Sequence, residues 1–188
     1  VDYVFTTVHI SSYVPVPILE IGSFLQDNDI DRVRKLFARE SKDFLQKYFK
    51  KELFFTDVEG KTKDEVLKNL CRKVEQEKGL PETFTASVLK REELTPTDYG
   101  NLVALPHPER AFQERAFVAV AVLKEPIFWF RQKVQVVFLT AIGREEDENL
   151  QQFYEATTDL ILRPADVQNL IRHPDYDRLI QLLRRAEE

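Results

Sequence analysis

Apolar residues recur along this chain at two spacings, and the two spacings alternate. Runs of β-branched and aromatic residues, which are typical of strands, lie at 1–8, 14–21, 53–55, 102–105, 116–123 and 134–141. Apolar residues three and four positions apart predict helices from Asp27 or Asp29, from Thr62 to Gly79, from Pro81, over 145–162, over 164–172 and after Asp175. Helices on either side of a group of strands predict an α/β sandwich.

The chain divides into three segments. Residues 1–39 hold two strands and one helix, which cannot close a core alone, so we expect the end of an α/β domain that begins upstream. Residues 40–52 predict a connecting helix in a locally basic stretch. We interpret its charged face as solvated; a docking surface for an acidic partner or a neighbouring domain is the alternative. Residues 53–188 predict a second α/β domain.

Composition narrows the possible functions. Of the 188 residues 43% are apolar, enough for a packed core, and the net charge of −5 argues against a general nucleic-acid-binding surface. A single Cys excludes an internal disulfide framework and fits a reducing cytosol. No apolar run reaches ~18 residues, so no membrane span is predicted. Without a glycine-rich phosphate loop or clustered metal ligands, neither a cofactor nor a metal site is predicted.

His107 is the leading candidate for chemistry. It follows an apolar strand and stands between Pro106 and Pro108, which restrict the backbone and offer no N–H to a sheet. A neutral imidazole can accept and release a phosphoryl group, and the guanidinium of Arg91 is shaped to stabilise phosphoryl oxygens. The alternative makes His107 a structural turn residue and Arg91 a partner of its helix C-terminus. The residues alone leave both interpretations open.

The remaining reactive residues are expected to have structural roles. His9 follows a strand and His173 precedes a proline at a helix end, so both are expected at element boundaries. Cys71 lies on the apolar stripe of its helix, which predicts a buried and unreactive thiol.

Residues from about Leu53 to Leu183 resemble the enzyme IIA domain of the mannitol–fructose type in the bacterial sugar phosphotransferase system. The resemblance rests on Val88-Leu-Lys-Arg-Glu-Glu-Leu-Thr-Pro-Thr-Asp-Tyr-Gly100 and on Val103-Ala-Leu-Pro-His107. It implies a central mixed β-sheet flanked by helices, phosphorylation of His107 by the carrier protein HPr, and a phosphoryl-stabilising role for Arg91.

One position departs from that family pattern. Mannitol-specific members carry a second active-site histidine where this chain has Asn149. The amide of Asn149 can hydrogen-bond a phosphoryl oxygen but adds no positive charge. The resemblance therefore implies a supporting role for Asn149 and argues against fast relay to a sugar-specific partner.

The N-terminal segment resembles another component of the same system. Asp2-Tyr-Val-Phe-Thr-Thr-Val8 and Pro17-Ile-Leu-Glu-Ile-Gly-Ser-Phe-Leu25 are similar to the second half of a galactitol-type enzyme IIB domain. This order of units is found at the C-terminus of transcriptional activators and antiterminators with phosphotransferase regulation domains. The resemblance implies a cytoplasmic regulatory module that responds to HPr and acts on upstream domains of the same chain, with enzyme IIB proteins as further candidate partners.

Two other functions compete with this one. The chain could be a transport enzyme IIA that relays phosphate from HPr to a sugar-specific enzyme IIB, which would make it a phosphotransferase. It could also be an interaction domain that retains the fold without the chemistry.

Overall fold

A computed structural model describes residues 4–8, 10, 13–16, 18–21, 45–145 and 150–184. The chain forms two compact units, Val1–Lys42 and Asp43–Glu188. In the first unit, β1 (Val4–Thr6) pairs in parallel with β2 (Ile18–Glu20), and both strands lie within predicted ones. The helix expected from Asp27 or Asp29 lies outside the described residues.

The connecting helix predicted over 40–52 differs from the structure at its C-terminal end. Residues 45–48 are helical, but strand β3 (Phe49–Phe55) follows them directly, and 40–44 lie outside the described residues. Phe49 and Leu53 are buried, while the charged residues between them are exposed. β3 is an edge strand with a register shift against its neighbour. The charged run is therefore solvated on a sheet edge, where charges also discourage further strand pairing.

The second unit contains a five-stranded mixed sheet, which confirms the predicted α/β fold. Its other strands are β4 (Asp98–Gly100), β5 (Val103–Ala104), β6 (Phe117–Phe128) and β7 (Lys133–Ala141). The strand order is β3-β6-β7-β5-β4. The pairs β3–β6 and β5–β7 are parallel, and the pairs β6–β7 and β4–β5 are antiparallel. The sequence pattern does not predict β4, because three residues are too few to show a strand period.

Helices cover both faces of this sheet. They are α1 (Lys63–Lys78), α2 (Thr83–Leu94), α3 (Leu150–Ile161), α4 (Pro164–Arg172) and α5 (Tyr176–Arg184). Alternate residues of β6 belong to two cores. Val118, Val120 and Val122 pack in the core beneath α3 to α5. Ala119, Ala121 and Leu123 pack in the core beneath α1 and α2. A central strand buried on both faces reads as a continuous apolar run, as β6 does.

The predicted ends of α1 are confirmed. The Thr62 hydroxyl accepts the N–H of Glu65 at 3.3 Å, and Gly79 ends the helix with φ of 64°. Helix α2 begins at Thr83, two residues after Pro81. Hydrogen bonds to Glu75 of α1 fix the first turn of α2. Glu75 Oε1 accepts both the N–H and the hydroxyl of Thr85, at 2.9 and 2.7 Å.

Candidate functional site

Two neighbouring strands hold the segment that leads to His107. The N–H of Leu105 donates to the carbonyl of Thr97, and the N–H of Thr140 in β7 donates to the carbonyl of Pro106, both at 3.0 Å. The prolines on either side of His107 are buried, whereas His107 itself is partly exposed. The histidine therefore leaves the sheet where the backbone is bonded on both sides, and its side chain is open to solvent.

The His107 ring has one polar partner in its own backbone. Nδ1 lies 3.3 Å from the carbonyl oxygen of Leu105. A carbonyl oxygen can only accept a hydrogen bond, so this contact favours the tautomer with the proton on Nδ1. In that tautomer Nε2 carries the lone pair, which is the requirement for a nucleophile.

A cleft of about 400 Å³ opens beside the imidazole. Its walls come from four parts of the second unit: Pro96 to Tyr99, Leu105 with His107, Thr140 with Ile142, and the α3 residues Phe153, Tyr154, Thr157, Thr158 and Ile161. The walls are mainly apolar, with hydroxyl groups of threonine and tyrosine among them. A concave apolar surface with a few polar groups suits a binding site.

Three ionisable side chains line this cleft together with the histidine: Asp98, Tyr99 and Tyr154. Burial raises the pKa of the Tyr154 hydroxyl above its ordinary value of 10.0, so it stays protonated at neutral pH and can donate a hydrogen bond. Asp98 Oδ2 accepts the backbone N–H groups of Arg131 and Gln132 at 2.7 and 2.9 Å. The Asp98 carboxylate thus fixes the β6–β7 connection against β4.

Helix α2 lies against the loop that follows His107. The Ser87 hydroxyl accepts the N–H of Glu109 at 2.9 Å, and Lys90 Nζ lies 3.0 Å from Glu109 Oε2. Arg91 follows Ser87 by one helical turn, so it lies on the same side of the helix. Its guanidinium Nη1 donates to the carbonyl of Thr95 at 3.3 Å, and Arg91 is not among the described residues that line the cleft. The structure thus places the guanidinium of Arg91 at the helix C-terminus, on the side of α2 that carries Ser87.

Glu92 belongs to this region, although it is not one of the candidate residues predicted from the sequence. It is only 1% exposed, and its carboxylate accepts three hydrogen bonds, from Thr97 N, Thr97 Oγ1 and Trp129 Nε1, at 2.9, 2.8 and 2.7 Å. A signal for it exists: Phe84, Val88 and Glu92 are four residues apart, which places the charge on the buried stripe of α2.

The other candidates have separate positions. Asn149 and His9 lie outside the described residues. His173 is exposed and is the C-cap residue of α4, as expected for a boundary residue. Cys71 is buried, and burial raises the pKa of its thiol to about 12, which confirms the expectation of an unreactive side chain.

No group of three or more His, Cys, Asp and Glu side chains in the part of the chain that the structure describes has the arrangement of a metal site. Among the same residues, none of the helices combines the length and the apolar character that crossing a membrane requires.

Comparison with known proteins gives a family match over most of the second unit. Residues 47–186 match the family model described as "Phosphoenolpyruvate-dependent sugar phosphotransferase system, EIIA 2". Among solved structures, the complex of enzyme IIA and phosphorylated enzyme IIB for mannitol from Escherichia coli has a TM-score of 0.59 at 18% identity. The match covers 72% of this chain and 97% of that chain. At this level of identity the likeness concerns the fold.

Two curated relatives extend the match into the first unit. The probable licABCH operon regulator of Bacillus subtilis (strain 168) is 34% identical over 179 residues, which is 95% of this chain. The transcriptional regulator ManR of the same organism is 24% identical over 180 residues, which is 92% of this chain. This chain spans 28% of the length of each regulator.

Proposed function

Because this chain belongs to the EIIA 2 family of the phosphoenolpyruvate-dependent sugar phosphotransferase system, we propose that it is the regulatory module of a transcriptional activator or antiterminator. In this proposal phospho-HPr phosphorylates His107, which couples sugar uptake to gene expression. Support comes from the two relatives, which are named as regulators and match the chain through both units. The module acts in the cytoplasm, and its partners are HPr and upstream domains of the same chain.

The observation that carries the proposal is the open imidazole beside the cleft. The lone pair on Nε2 of His107 attacks the phosphorus atom of phospho-HPr, and a new P–N bond forms. The P–N bond to the donor histidine breaks, and the donor ring keeps that electron pair. The ring of His107 gains positive charge during the transfer, and the Leu105 carbonyl stabilises it through the Nδ1 proton.

Arg91 and Asn149 assist this transfer in the proposal. The guanidinium of Arg91 exchanges its bond to the Thr95 carbonyl for bonds to phosphoryl oxygens, which bind a guanidinium more strongly than a neutral carbonyl does. For Asn149 the proposal rests on the family pattern, and its amide donates to the same phosphoryl group. Phosphorylation then adds negative charge to a cleft that already contains the carboxylate of Asp98, and this change in charge alters how a partner binds there.

The test is phosphorylation with purified components. Incubation with enzyme I, HPr and labelled phosphoenolpyruvate is expected to label the wild-type chain on a histidine. The His107→Ala variant is expected to lose the label, and the matched His173→Ala variant at the exposed end of α4 is expected to keep it. A His107→Ala variant that still takes label would place the acceptor elsewhere.

The regulatory role is tested on the intact gene. We expect the full-length reading frame to encode a DNA-binding or RNA-binding domain upstream of these residues. The relatives' lengths leave room for it, since this chain covers 28% of each. A reading frame without any such domain would remove the regulatory role and leave phosphoryl acceptance untouched.

A transport enzyme IIA is the second candidate function. It is favoured by the fold likeness to a mannitol enzyme IIA whose structure was solved in complex with phosphorylated enzyme IIB. A strain that lacks its own enzyme IIA decides between the two. Restored sugar phosphorylation on expression of this chain would support the transport role, and no restoration is expected of a regulator.

A further inference from the structure

The geometry points to Glu92 as a positioning residue for His107. Its buried carboxylate determines, through two intervening residues, how the imidazole is oriented and which ring nitrogen carries the proton. The kinetic part of this inference rests on the proposed phosphorylation of His107, whereas the structural part does not.

A continuous path of hydrogen bonds runs from Glu92 to His107. Glu92 holds Thr97 by both its N–H and its hydroxyl, at 2.9 and 2.8 Å. The carbonyl of Thr97 accepts the N–H of Leu105 at 3.0 Å. The carbonyl of Leu105 lies 3.3 Å from Nδ1 of His107. Each link therefore fixes the group that makes the next link, from the carboxylate to the ring.

The first link is strong because the carboxylate is buried among hydrogen-bond donors. Glu92 is 1% exposed, and the ion pairs found within 45–145 and 150–184 do not include it. A buried carboxylate is costly unless donors surround it, and loss of a hydrogen bond to a charged group costs more than loss of a neutral one. Thr97 is thus held in one position by two charge-assisted bonds.

A second contact fixes the carboxylate itself. Nε1 of Trp129 donates to Glu92 Oε1 at 2.7 Å, and the Trp129 side chain is only 4% exposed. Trp129 directly follows β6, and the next residues in the connection to β7 bond to Asp98 of β4. Helix α2, the residue before β4 and the β6–β7 connection therefore meet at Glu92, and the hydrogen-bond path to His107 begins there.

The expected consequence concerns the tautomer of the ring. Free histidine in water prefers the proton on Nε2, which would block that nitrogen as a nucleophile. The Leu105 carbonyl reverses the preference only while it is held close to Nδ1. Removal of the Glu92 carboxylate frees Thr97, and with it Leu105, so the neutral ring returns toward the tautomer of free histidine.

The test reads the tautomer directly by ¹⁵N NMR of the histidine rings in the intact chain, which has three histidines. Wild-type His107 in its neutral form is expected to carry the proton on Nδ1. In Glu92→Ala a mixture of tautomers is expected, and labelling from phospho-HPr is expected to slow about tenfold because the attacking nitrogen is misaligned. Glu92→Gln is expected to keep the wild-type tautomer and the wild-type labelling rate. Its amide oxygen can accept from Trp129 Nε1 and Thr97 N, and its amide nitrogen can donate to the Thr97 hydroxyl.

A matched control exists in helix α1, where Glu75 bonds to the first turn of α2. Glu75 accepts the N–H and the hydroxyl of Thr85 just as Glu92 does those of Thr97, but at the opposite end of α2. Glu75→Ala is expected to lower stability while leaving the His107 tautomer and the labelling rate unchanged. The exposed neighbour Glu93→Ala is expected to change neither stability nor tautomer.

The outcomes separate the possibilities. If Glu92→Ala loses stability as Glu75→Ala does but keeps the wild-type tautomer, Glu92 is only a structural residue and the inference is wrong. If Glu92→Ala does not fold, Thr97→Val decides, because it removes one bond to Glu92; an unchanged tautomer there also overturns the inference. If the tautomer shifts but no variant, nor the wild type, takes label, the positioning role stands and the proposed phosphorylation fails.

Discussion

Helix α1 and the segment 96–107 differ in where their backbone groups find partners. The ends of α1 are closed by residues close in sequence, since Thr62 receives the N–H of Glu65 and the N–H of Gly79 bonds to the carbonyl of Glu75. The segment 96–107 depends on distant residues. Thr140 bonds to its Pro106 carbonyl, and its Asn101 bonds to the carbonyl of Ile161, 60 residues away.

Helix α1 is therefore specified by residues close in sequence, whereas the conformation of the segment 96–107 depends on contacts that form only in the folded protein. Three consecutive residues of the cleft segment, Gly100, Asn101 and Leu102, have positive φ, of 112°, 50° and 66°. Positive φ costs a residue with a side chain about 1–2 kcal/mol, and surrounding contacts must offset that cost. Substitutions in the cleft region should therefore change both stability and the labelling of His107, whereas substitutions in α1 should change stability alone.

Gly143→Ala should produce the largest effect. A Cβ atom at Gly143 would collide with the backbone carbonyl of Glu114, and backbone cannot move aside as a side chain can. Adjacent Ile142 lines the cleft, so the collision should distort the site as well. We expect a loss of about 3 kcal/mol in the free energy of unfolding, measured with urea, and slower labelling of His107. Wild-type stability in this variant would contradict the close approach.

Asn101→Ala should have the next largest effect. It removes the 2.8 Å bond from Nδ2 to the C-terminus of α3 and leaves an alanine at φ of 50°. We expect a loss of about 2 kcal/mol in the free energy of unfolding. Asn101→Gly removes the bond but relieves the backbone, so it should lose less. Equal losses in the two variants would show that the backbone conformation contributes nothing.

Gly79→Ala is the matched substitution in α1. Gly79 has φ of 64°, but a Cβ atom there would meet nothing within 4 Å. We expect only the conformational cost of about 1 kcal/mol, again from urea unfolding. Labelling of His107 should stay at the wild-type rate, and a change in that rate would break the distinction between the two regions.

Asp57→Asn should have the smallest effect. A hydrogen bond from Lys73 of α1 lowers the pKa of the Asp57 carboxyl below its ordinary value of 3.8. The Asp57 side chain is exposed and that of Lys73 is half-buried. A lowered pKa means that the pair stabilises the fold above pH 3.8 and ceases to do so as the pH falls through the folded-state pKa. We expect a difference of at most about 0.5 kcal/mol at pH 7, which shrinks in high salt and at acidic pH. A difference that grows on acidification would reverse the assigned sign.

The sequence predicted most where its signals are local. The capping residues of α1, the apolar run of β6 and the buried Cys71 were all legible, because helical and strand periods place those side chains without reference to other elements. The secondary structure of the charged residues 50–52 could not be predicted in this way, because a solvated helix face and an edge strand expose charges equally well. Pairing of β3 with β6 decided between them.

The candidate site divides in the same way. The two prolines around His107 made it the leading candidate from sequence, and the motif around it indicated the family. The role of Glu92 could not be predicted from the sequence, although its four-residue spacing from Val88 places it on the buried stripe. The role of a buried charge depends on its hydrogen-bond donors, and the sequence does not show which residues those are. Those donors, Thr97 and Trp129, come from two separate loops, one before β4 and one after β6.

By itself, the sequence determined the class of fold, the family and the identity of the candidate acceptor, since these depend on residue type and spacing. Only the tertiary structure decided which nitrogen of His107 lies beside a backbone carbonyl, where the guanidinium of Arg91 lies and what surrounds the carboxylate of Glu92. The physical reason is that hydrogen bonds between distant segments have no periodicity along the chain. They exist only after packing of the sheet and helices has brought β4, β5 and α2 together.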